Sequence, residues 1–596
     1  MNMLLNPQQQ RGVDSPGHCL ISACPGSGKT RVLVERAKRL LQSNPAARVA
    51  TITFTKDAAK EMSERLEKAL GQTASGRIIT GTFHSLAMKQ LKHYRENAGS
   101  PPLNVLSEDQ SYILRRRAWQ AEASEQPEQQ FLKEMADAKA SRIPPQNPKG
   151  PLARALISYQ KLLFEQEAYD FDDLIIQAAN GLHSGILDPI DCTHLLVDEM
   201  QDVDHTQYSW LMAHVDRGKI LTCVGDDDQS IYGFRHALGF TAMRAFADET
   251  EAEEITLGIT YRCSASVLTY AIRLIIKNRE RIRKTITTNE SDPGAVVRKD
   301  FYDEAEEAKA AGLFLNSRPN INRKGEQCTA AILARTNNVL RSAEVMLTSA
   351  NVPYYVKGKP NFWSGGIPEK IRNLLGAFAG RGSRGIVMHL HEEQACRDLT
   401  SAVSNATRGM DSPVPFLLTK DWQKNLDKKA LQAWAPMAAS LLTVSKKLDE
   451  ADYEGAINHI AGMTVAVDRS QKAAKIAEAA CQCILGLQGD VASKIRAIDL
   501  MERFDKKQEH DPRAIALMTL HGSKGLEFDY VWIMGMGHGL LPHMDSPIEE
   551  ERRLCYVGMT RAKTHLTLST AIEEGVASEF FQEMVLPHEV LLRAPD

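Results

Sequence analysis

Between Ala23 and Thr30 the chain reads Ala-Cys-Pro-Gly-Ser-Gly-Lys-Thr, a glycine-rich turn that ends in an ammonium and a hydroxyl. Gly26 and Gly28 let backbone N–H groups turn inward around an anion, and a helix starting just after them adds positive potential. Lys29 would reach the outer phosphates of a nucleotide and Thr30 would ligate Mg²⁺, with Ala23, Cys24, Pro25 and Ser27 completing the cradle. The first position is Ala where the general pattern has Gly, so the loop alone leaves a chance glycine-rich turn open. A second constellation closes that gap. His194-Leu-Leu-Val runs into Asp198-Glu199. Asp198 would hold Mg²⁺, directly or through water, and Glu199 would orient and deprotonate an attacking water. Together these residues predict a P-loop nucleoside triphosphatase.

Such groups meet only if strands deliver them to one edge of a parallel sheet. The apolar strands His18 to Ala23, Arg48 to Phe54, His194 to Glu199 and Ile220 to Asp226 alternate with helical segments, the pattern of a parallel sheet covered by helices. Lys29 opens one such helix, and Asp57-Ala-Ala-Lys-Glu-Met lies in another. From about Tyr94 to Gln166 the pattern changes to polar helix interrupted by Gln and Pro. A second strand–helix block opens near Glu254, includes Thr329 to Arg335, and gives way to helical sequence from about Gly380 to Asp511. It resumes with AIALMTLH and YVWIMGM and closes with HLTLST.

The bulk properties fit this plan. At 596 residues the chain exceeds one hydrophobic core. Its 43% hydrophobic and 25% charged content is that of a globular protein, and no apolar run reaches the roughly 18 residues that cross a bilayer. Ten scattered cysteines without a CxxC pair indicate reduced thiols and a cytoplasmic location. A net charge of -3 does not exclude a polyanion, because phosphate contacts come from local basic and amide-rich surfaces.

The segments LNPQQQ, TFTKDAAKEM, GTFHS, LLVDEMQDVDHTQY, VGDDDQSIYGFR, LGITYRC, ALMTLHGSKGLEFDYVWIMG and EEERRLCYVGMTRAK resemble, in order and spacing, the motif set of UvrD/Rep/PcrA-type DNA helicases of superfamily one. The resemblance runs from Leu5 to about Ala562 and is weak in the two interrupting segments. It implies that Gln9 reads adenine, that Arg31 and Tyr261 sandwich the base, that Gln229 senses the γ-phosphate and that Glu527 lies near the ribose. It further implies that Arg262 and Arg561 are supplied to the γ-phosphate by the second block. Strand contacts would come from Phe54, His84, Phe234, Arg235 and His521, with Thr53, Thr82 and Ser85 touching phosphates; Phe54 and Phe234 suit stacking on unpaired bases. By residue type alone, Phe54 at a strand end reads as core. Thr260, His236, Cys24 and Lys56-Asp57 depart from the family pattern.

The expected architecture is α/β, with two RecA-like P-loop motor domains each interrupted by a mostly helical insertion. The first motor domain would comprise residues 1–93 and 167–252, with its insertion at 94–166. The second would comprise 253–379 and 512–596, with its insertion at 380–511. The resemblance implies an ATP-dependent DNA helicase that uses ATP and Mg²⁺ and moves 3′ to 5′ on single-stranded DNA and at single/double-strand junctions, in repair, replication or recombination, with no membrane partner. Two rivals are a translocase that strips proteins without unwinding and a nucleotide-gated subunit serving a separate nuclease.

Overall fold

The computed structural model describes residues 4–71, 76–141, 145, 147–350, 352–357, 362–392, 397–468, 471–487, 489–508, 511–571 and 576–586. The chain forms two compact units, Met1–Pro293 with Ser546–Thr560, and Gly294–Asp545 with Arg561–Asp596.

The first unit is built on six parallel strands: β1 (Cys19–Ala23), β2 (Val49–Thr53), β3 (Ile78–Thr82), β4 (His194–Val197), β5 (Ile220–Gly225) and β6 (Glu253–Leu257). Their order across the sheet is β3-β2-β4-β5-β1-β6. All five residues of β1 are buried, because β5 and β6 flank it and helices cover both faces. A strand in that position reads as a continuous apolar run rather than an alternating one. Helix α1 (Pro7–Asp14) precedes β1, and α2 (Lys29–Ser43) follows the glycine-rich turn. Three helices, Glu108–Glu122, Glu128–Ser141 and Pro151–Glu165, form a separate small body around Leu114, Phe131, Met135, Tyr159 and Leu163.

The second unit also carries six parallel strands: β7 (Ala295–Phe301), β8 (Ala330–Ala334), β9 (Tyr354–Val356), β10 (Ile515–Thr519), β11 (Phe528–Met534) and β12 (Ala562–Ala571), in the order β7-β12-β11-β8-β10-β9. Helices between Gly366 and Gln508 pack around their own core.

Three boundaries differ from the sequence reading. Residues 253–293 fall in the first unit, since β6 pairs with β1 from Cys19↔Glu253 to Ala23↔Leu257. Residues 546–560 also join the first unit through α4 (Ile548–Met559), which packs on α3 (Ala265–Ile275). The second helical body starts near Phe362 rather than Gly380. Ile367, Ile371, Leu374 and Leu375 of the helix Gly366–Phe378 are part of its core, a commitment that helical periodicity alone does not reveal.

Candidate functional site

In a parallel sheet every strand ends on the same edge, so the turns after β1, β4 and β5 converge there. The turn after β1 is left-handed at Gly26 (φ 73°) and Gly28 (φ 84°), conformations that glycine adopts without steric cost. Space requires glycine as well. A Cβ on Gly26 would lie 2.5 Å from Arg262 Cβ, and one on Gly28 3.0 Å from Gln9 Nε2. The turn is braced from behind. Thr260 Oγ1 donates to Pro25 O (2.6 Å), Tyr261 N–H to Gly26 O (3.0 Å) and Cys24 N–H to Leu257 O (3.1 Å).

Lys29, the first residue of α2, points its ammonium at Glu199, 3.1 and 3.2 Å from the two carboxylate oxygens. Burial would lower the Lys29 pKa, but Glu199, Asp226 and Asp198 together hold it above its ordinary value. Asp198 accepts from Thr30 Oγ1 at 3.4 Å. Burial, reinforced by the neighbouring Glu199 charge, pushes its carboxyl up to about 6. A hydroxyl and a carboxylate side by side form the hard-oxygen donor set that Mg²⁺ takes, so Thr30 and Asp198 fit that ion. Glu199 is itself left-handed (φ 57°), an uncommon state for a residue with a side chain. Gln201 Nε2 donates to the Glu199 carboxylate, while Gln201 Oε1 accepts the N–H of Asp226 at 2.9 Å.

The turn after β5 carries three buried aspartates. Lys284, fully buried, places its ammonium 2.6 Å from Asp226 Oδ1, 2.6 Å from Asp227 Oδ1 and 3.2 Å from Asp228 Oδ2. Arg281 grips Asp228 with two bonds of 2.9 and 2.8 Å. Burial would lower the Lys284 pKa, but the three carboxylates raise it well above the lysine range. Burial alone would raise Asp228; Lys284 and Arg281 overcome it and hold Asp228 low, whereas burial leaves Asp227 raised. The second oxygen of Asp226 accepts Gln229 Nε2 at 2.5 Å and so fixes that amide.

On the other side of the turn, α1 presents Gln9. Its Nε2 donates to Ser27 O (2.9 Å) and its Oε1 accepts the N–H of Asn6 (3.0 Å), so reading adenine would require exchanging those bonds. Asn6 Nδ2 donates to the Tyr261 hydroxyl (2.9 Å), and Arg31 is half-buried in the first turn of α2.

Aromatic side chains line the same unit. Tyr232 and Phe234 stand edge to face at 6.0 Å, and Arg235 lies over both rings at 5.7 and 5.6 Å. Phe234 is 59% exposed. His84 stacks on Phe171 with ring centres 4.1 Å apart, and burial lowers the His84 pKa to about 4, so the imidazole is neutral. Phe54 meets Phe83 edge-on at 5.5 Å and is half-buried against the core.

Residues 5–249 match the UvrD/REP helicase N-terminal domain and residues 420–573 the UvrD-like helicase C-terminal domain. The chain belongs to the UvrD/Rep helicase family. It is 29% identical to the DNA helicase II of Escherichia coli K12 over 95% of this chain and 84% of that one. It is 28% identical to the ATP-dependent DNA helicase Rep of the same strain, over 100% of this chain and 94% of that one. It is 27% identical to the ATP-dependent DNA helicase PcrA of Staphylococcus epidermidis RP62A, over 98% and 87%.

Within this helicase Arg262 belongs to the first unit, two residues beyond Thr260 and against Gly26, and not to the second as the sequence reading expected. The second unit carries His521 in a short 3-10 turn, exposed Glu527 paired with Lys563 (3.1 Å), and buried Arg561, whose Nη1 donates to Leu526 O (3.1 Å). The hydroxyls of Thr82 and Ser85 are engaged in capping the helix Phe83–Asn97. Two departures from the family pattern have local causes. His236 is left-handed (φ 62°), which explains the usual glycine there. Asp57 sits in the first turn of the helix Lys56–Leu70, where a negative charge complements the helix dipole. Sequence reasoning missed three residues. Gln201 and Lys284 gave no signal beyond their place inside or after a motif. Phe171, 55% exposed and stacked on His84, follows Asp170, which caps its helix.

Proposed function

We propose that this helicase hydrolyses ATP to ADP and phosphate and uses the cycle to step along single-stranded DNA, 3′ to 5′, unwinding duplex at single/double-strand junctions. The observation that carries the reading is the meeting of Lys29, Thr30, Asp198 and Glu199 at one sheet edge, with Gln229 held beside them and an exposed Phe234 only five residues further on.

Lys29 turns from Glu199 to the outer phosphates as ATP binds, which frees the Glu199 carboxylate. Glu199 then takes a proton from water as its oxygen bonds to the γ-phosphorus and the bond to the β–γ bridging oxygen breaks, leaving ADP. Thr30 and Asp198 would hold Mg²⁺, which would supply charge neutralisation to the phosphates. Gln229 registers the γ-phosphate, and Arg262 and Arg561 complete its surroundings. Tyr261 and Arg31 hold the base, Gln9 reads its edge, and Glu527 lies by the ribose.

Phe234 stacks on a base, Arg235 contacts the backbone, and Phe54, His521 and the His84–Phe171 pair extend the track. Among the described residues no helix is long and apolar enough to cross a membrane. The nine described cysteines are all buried, and a reducing, cytoplasmic setting is part of the proposal. Strand displacement on 3′-tailed and 5′-tailed duplexes tests the proposal. ATP-dependent unwinding of the 3′-tailed substrate is expected, and unwinding confined to the 5′-tailed one refutes the assigned direction.

A further inference from the structure

The motif EEERRLCYVGMTRA carries Arg561, proposed to contact the γ-phosphate, and its acidic start has no part in that contact. That start forms the first turn of α4, and α4 is tied into the first unit there. Glu549 Oε1 accepts the N–H of Arg279 (3.0 Å), its backbone carbonyl accepts Asn278 Nδ2 (2.8 Å), and Arg553 Nη2 donates to Glu280 O (3.0 Å). Glu550 points elsewhere. Its carboxylate lies against the backbone of the short turn Gly233–Arg235; burial and Glu551 raise its pKa, and the backbone N–H groups of Gly233 and Phe234 oppose that rise. A Cβ on Gly233 would lie 2.8 Å from Glu550 Oε2 and 3.1 Å from Oε1, so the fit depends on there being no side chain at 233. Two adjacent N–H groups form a small anion-binding concavity, and hydrogen bonds to an ionised acceptor are the strong class.

Helix α4 runs without interruption to Met559, is capped by Thr560, and is followed at once by Arg561. Its 12 residues make a rod roughly 18 Å long. One end grips the backbone of the exposed aromatic; the other leads into an arginine. We propose that Glu550 is a positioning residue for the DNA-stacking platform, holding Phe234 by its backbone N–H so that displacement of α4 with Arg561 is delivered to the base stacked on Phe234. This rests on the reading of Phe234 as a DNA contact and of Arg561 as a phosphate contact.

The test uses the full chain and an oligo-dT single strand. It reads the concentration giving half-maximal ATPase stimulation, the ATP consumed per nucleotide translocated, and the melting temperature. Glu550→Ala raises the half-maximal concentration about tenfold, as expected for loss of hydrogen bonds to a charged acceptor, and raises the ATP consumed per nucleotide, with little change in melting. Gly233→Ala, which pushes the carboxylate away, produces the same shift alone. In the Glu550→Ala background it adds less than about twofold, because both changes remove one contact. Glu550→Gln, equal in size, gives a partial shift and serves if the alanine variant is poorly folded.

Normal ATP cost per nucleotide in a folded Glu550→Ala or Glu550→Gln variant overturns the proposal, as does additivity of Gly233→Ala with Glu550→Ala. Phe234→Ala separates the two levels of inference. If it weakens the DNA response while the Glu550 variants do not, only the role of Glu550 falls. If Phe234→Ala itself responds normally to DNA, the stacking reading falls and the proposal with it.

Discussion

Replacing Lys284 by Met tests whether the ammonium beneath the β5 turn holds the turn that carries Gln229. The substitution keeps the unbranched stem and removes the charge that lies 2.6, 2.6 and 3.2 Å from Asp226, Asp227 and Asp228. Arg281 continues to neutralise Asp228, so two fully buried carboxylates lose their counter-ion. Removing one partner of a buried ion pair costs about 3–5 kcal/mol. At roughly 2–4 °C per kcal/mol for a large domain, melting should fall by on the order of 10 °C. The pH dependence has a definite sign. Burial already holds the Asp227 pKa above its ordinary 3.8, with Lys284 opposing the rise, so loss of Lys284 moves it further up. A carboxyl raised in the folded state binds a proton there that the unfolded chain releases. Its stabilisation is present below 3.8 and is lost as pH rises through the folded value. The melting gap between parent and variant therefore widens from acidic to alkaline pH, and Lys284→Met with Asp227→Asn narrows it. Asp226 also loses its anchor, so Gln229 is released and ATP turnover falls more than ATP affinity. Melting curves at several pH values, with kcat and KM for ATP, provide the check. A variant melting within about 2 °C of the parent, or a gap that narrows as pH rises, would show that Lys284 does not hold these buried carboxylates.

Lys29→Ala should weaken nucleotide binding and abolish hydrolysis, whereas Glu199→Gln should bind ATP but turn over about 10²–10⁴-fold more slowly, as expected for loss of a general base; near-normal ATPase in the glutamine variant reassigns the base. Phe234→Ala should remove the proposed base stack, worth roughly 1–3 kcal/mol. Because the ring is 59% exposed, melting should barely move while translocation falls further than DNA-independent ATPase; parallel loss of all three contradicts that role. Single-stranded DNA should stimulate the ATPase, and its binding should weaken steeply with salt as released counter-ions cease to favour association. An ATPase indifferent to DNA favours a signalling subunit over a motor.

The elements at this site were legible because they are buried and continuous. Strands such as Cys19–Ala23 and His194–Val197, flanked on both sides, are written as largely apolar runs, and the glycine-rich turn and acid pair at their ends mark the edge where they meet. The allegiance of Glu253–Leu257 was not legible. Its sequence states that it is a strand, but which sheet accepts it depends on register with β1, set by contacts 234 residues apart in the chain (Cys19↔Glu253). Helix α4 posed the same difficulty, since its apolar positions say that one face is buried and not against which unit.

Gln201 shows why the remaining part of the site is invisible to a reading by residue type. Its single amide donates to the Glu199 carboxylate and accepts the N–H of Asp226, so it joins the turn carrying the proposed base to the turn carrying Gln229. A carboxylate there could accept from Asp226 but would repel Glu199, and an ammonium could do only the reverse. A neutral amide does both at once. A Cβ on Gly225 would lie 2.7 Å from Gln201 Oε1, so the close approach also fixes the residue before Asp226 as one without a side chain. The left-handed backbone at Glu199 turns the chain so that Gln201 reaches both partners. Glycine, glutamate and glutamine at these positions are thus constraints on one another, separated by 24 residues between Gln201 and Gly225, and none signals its role until the sheet brings the two turns together.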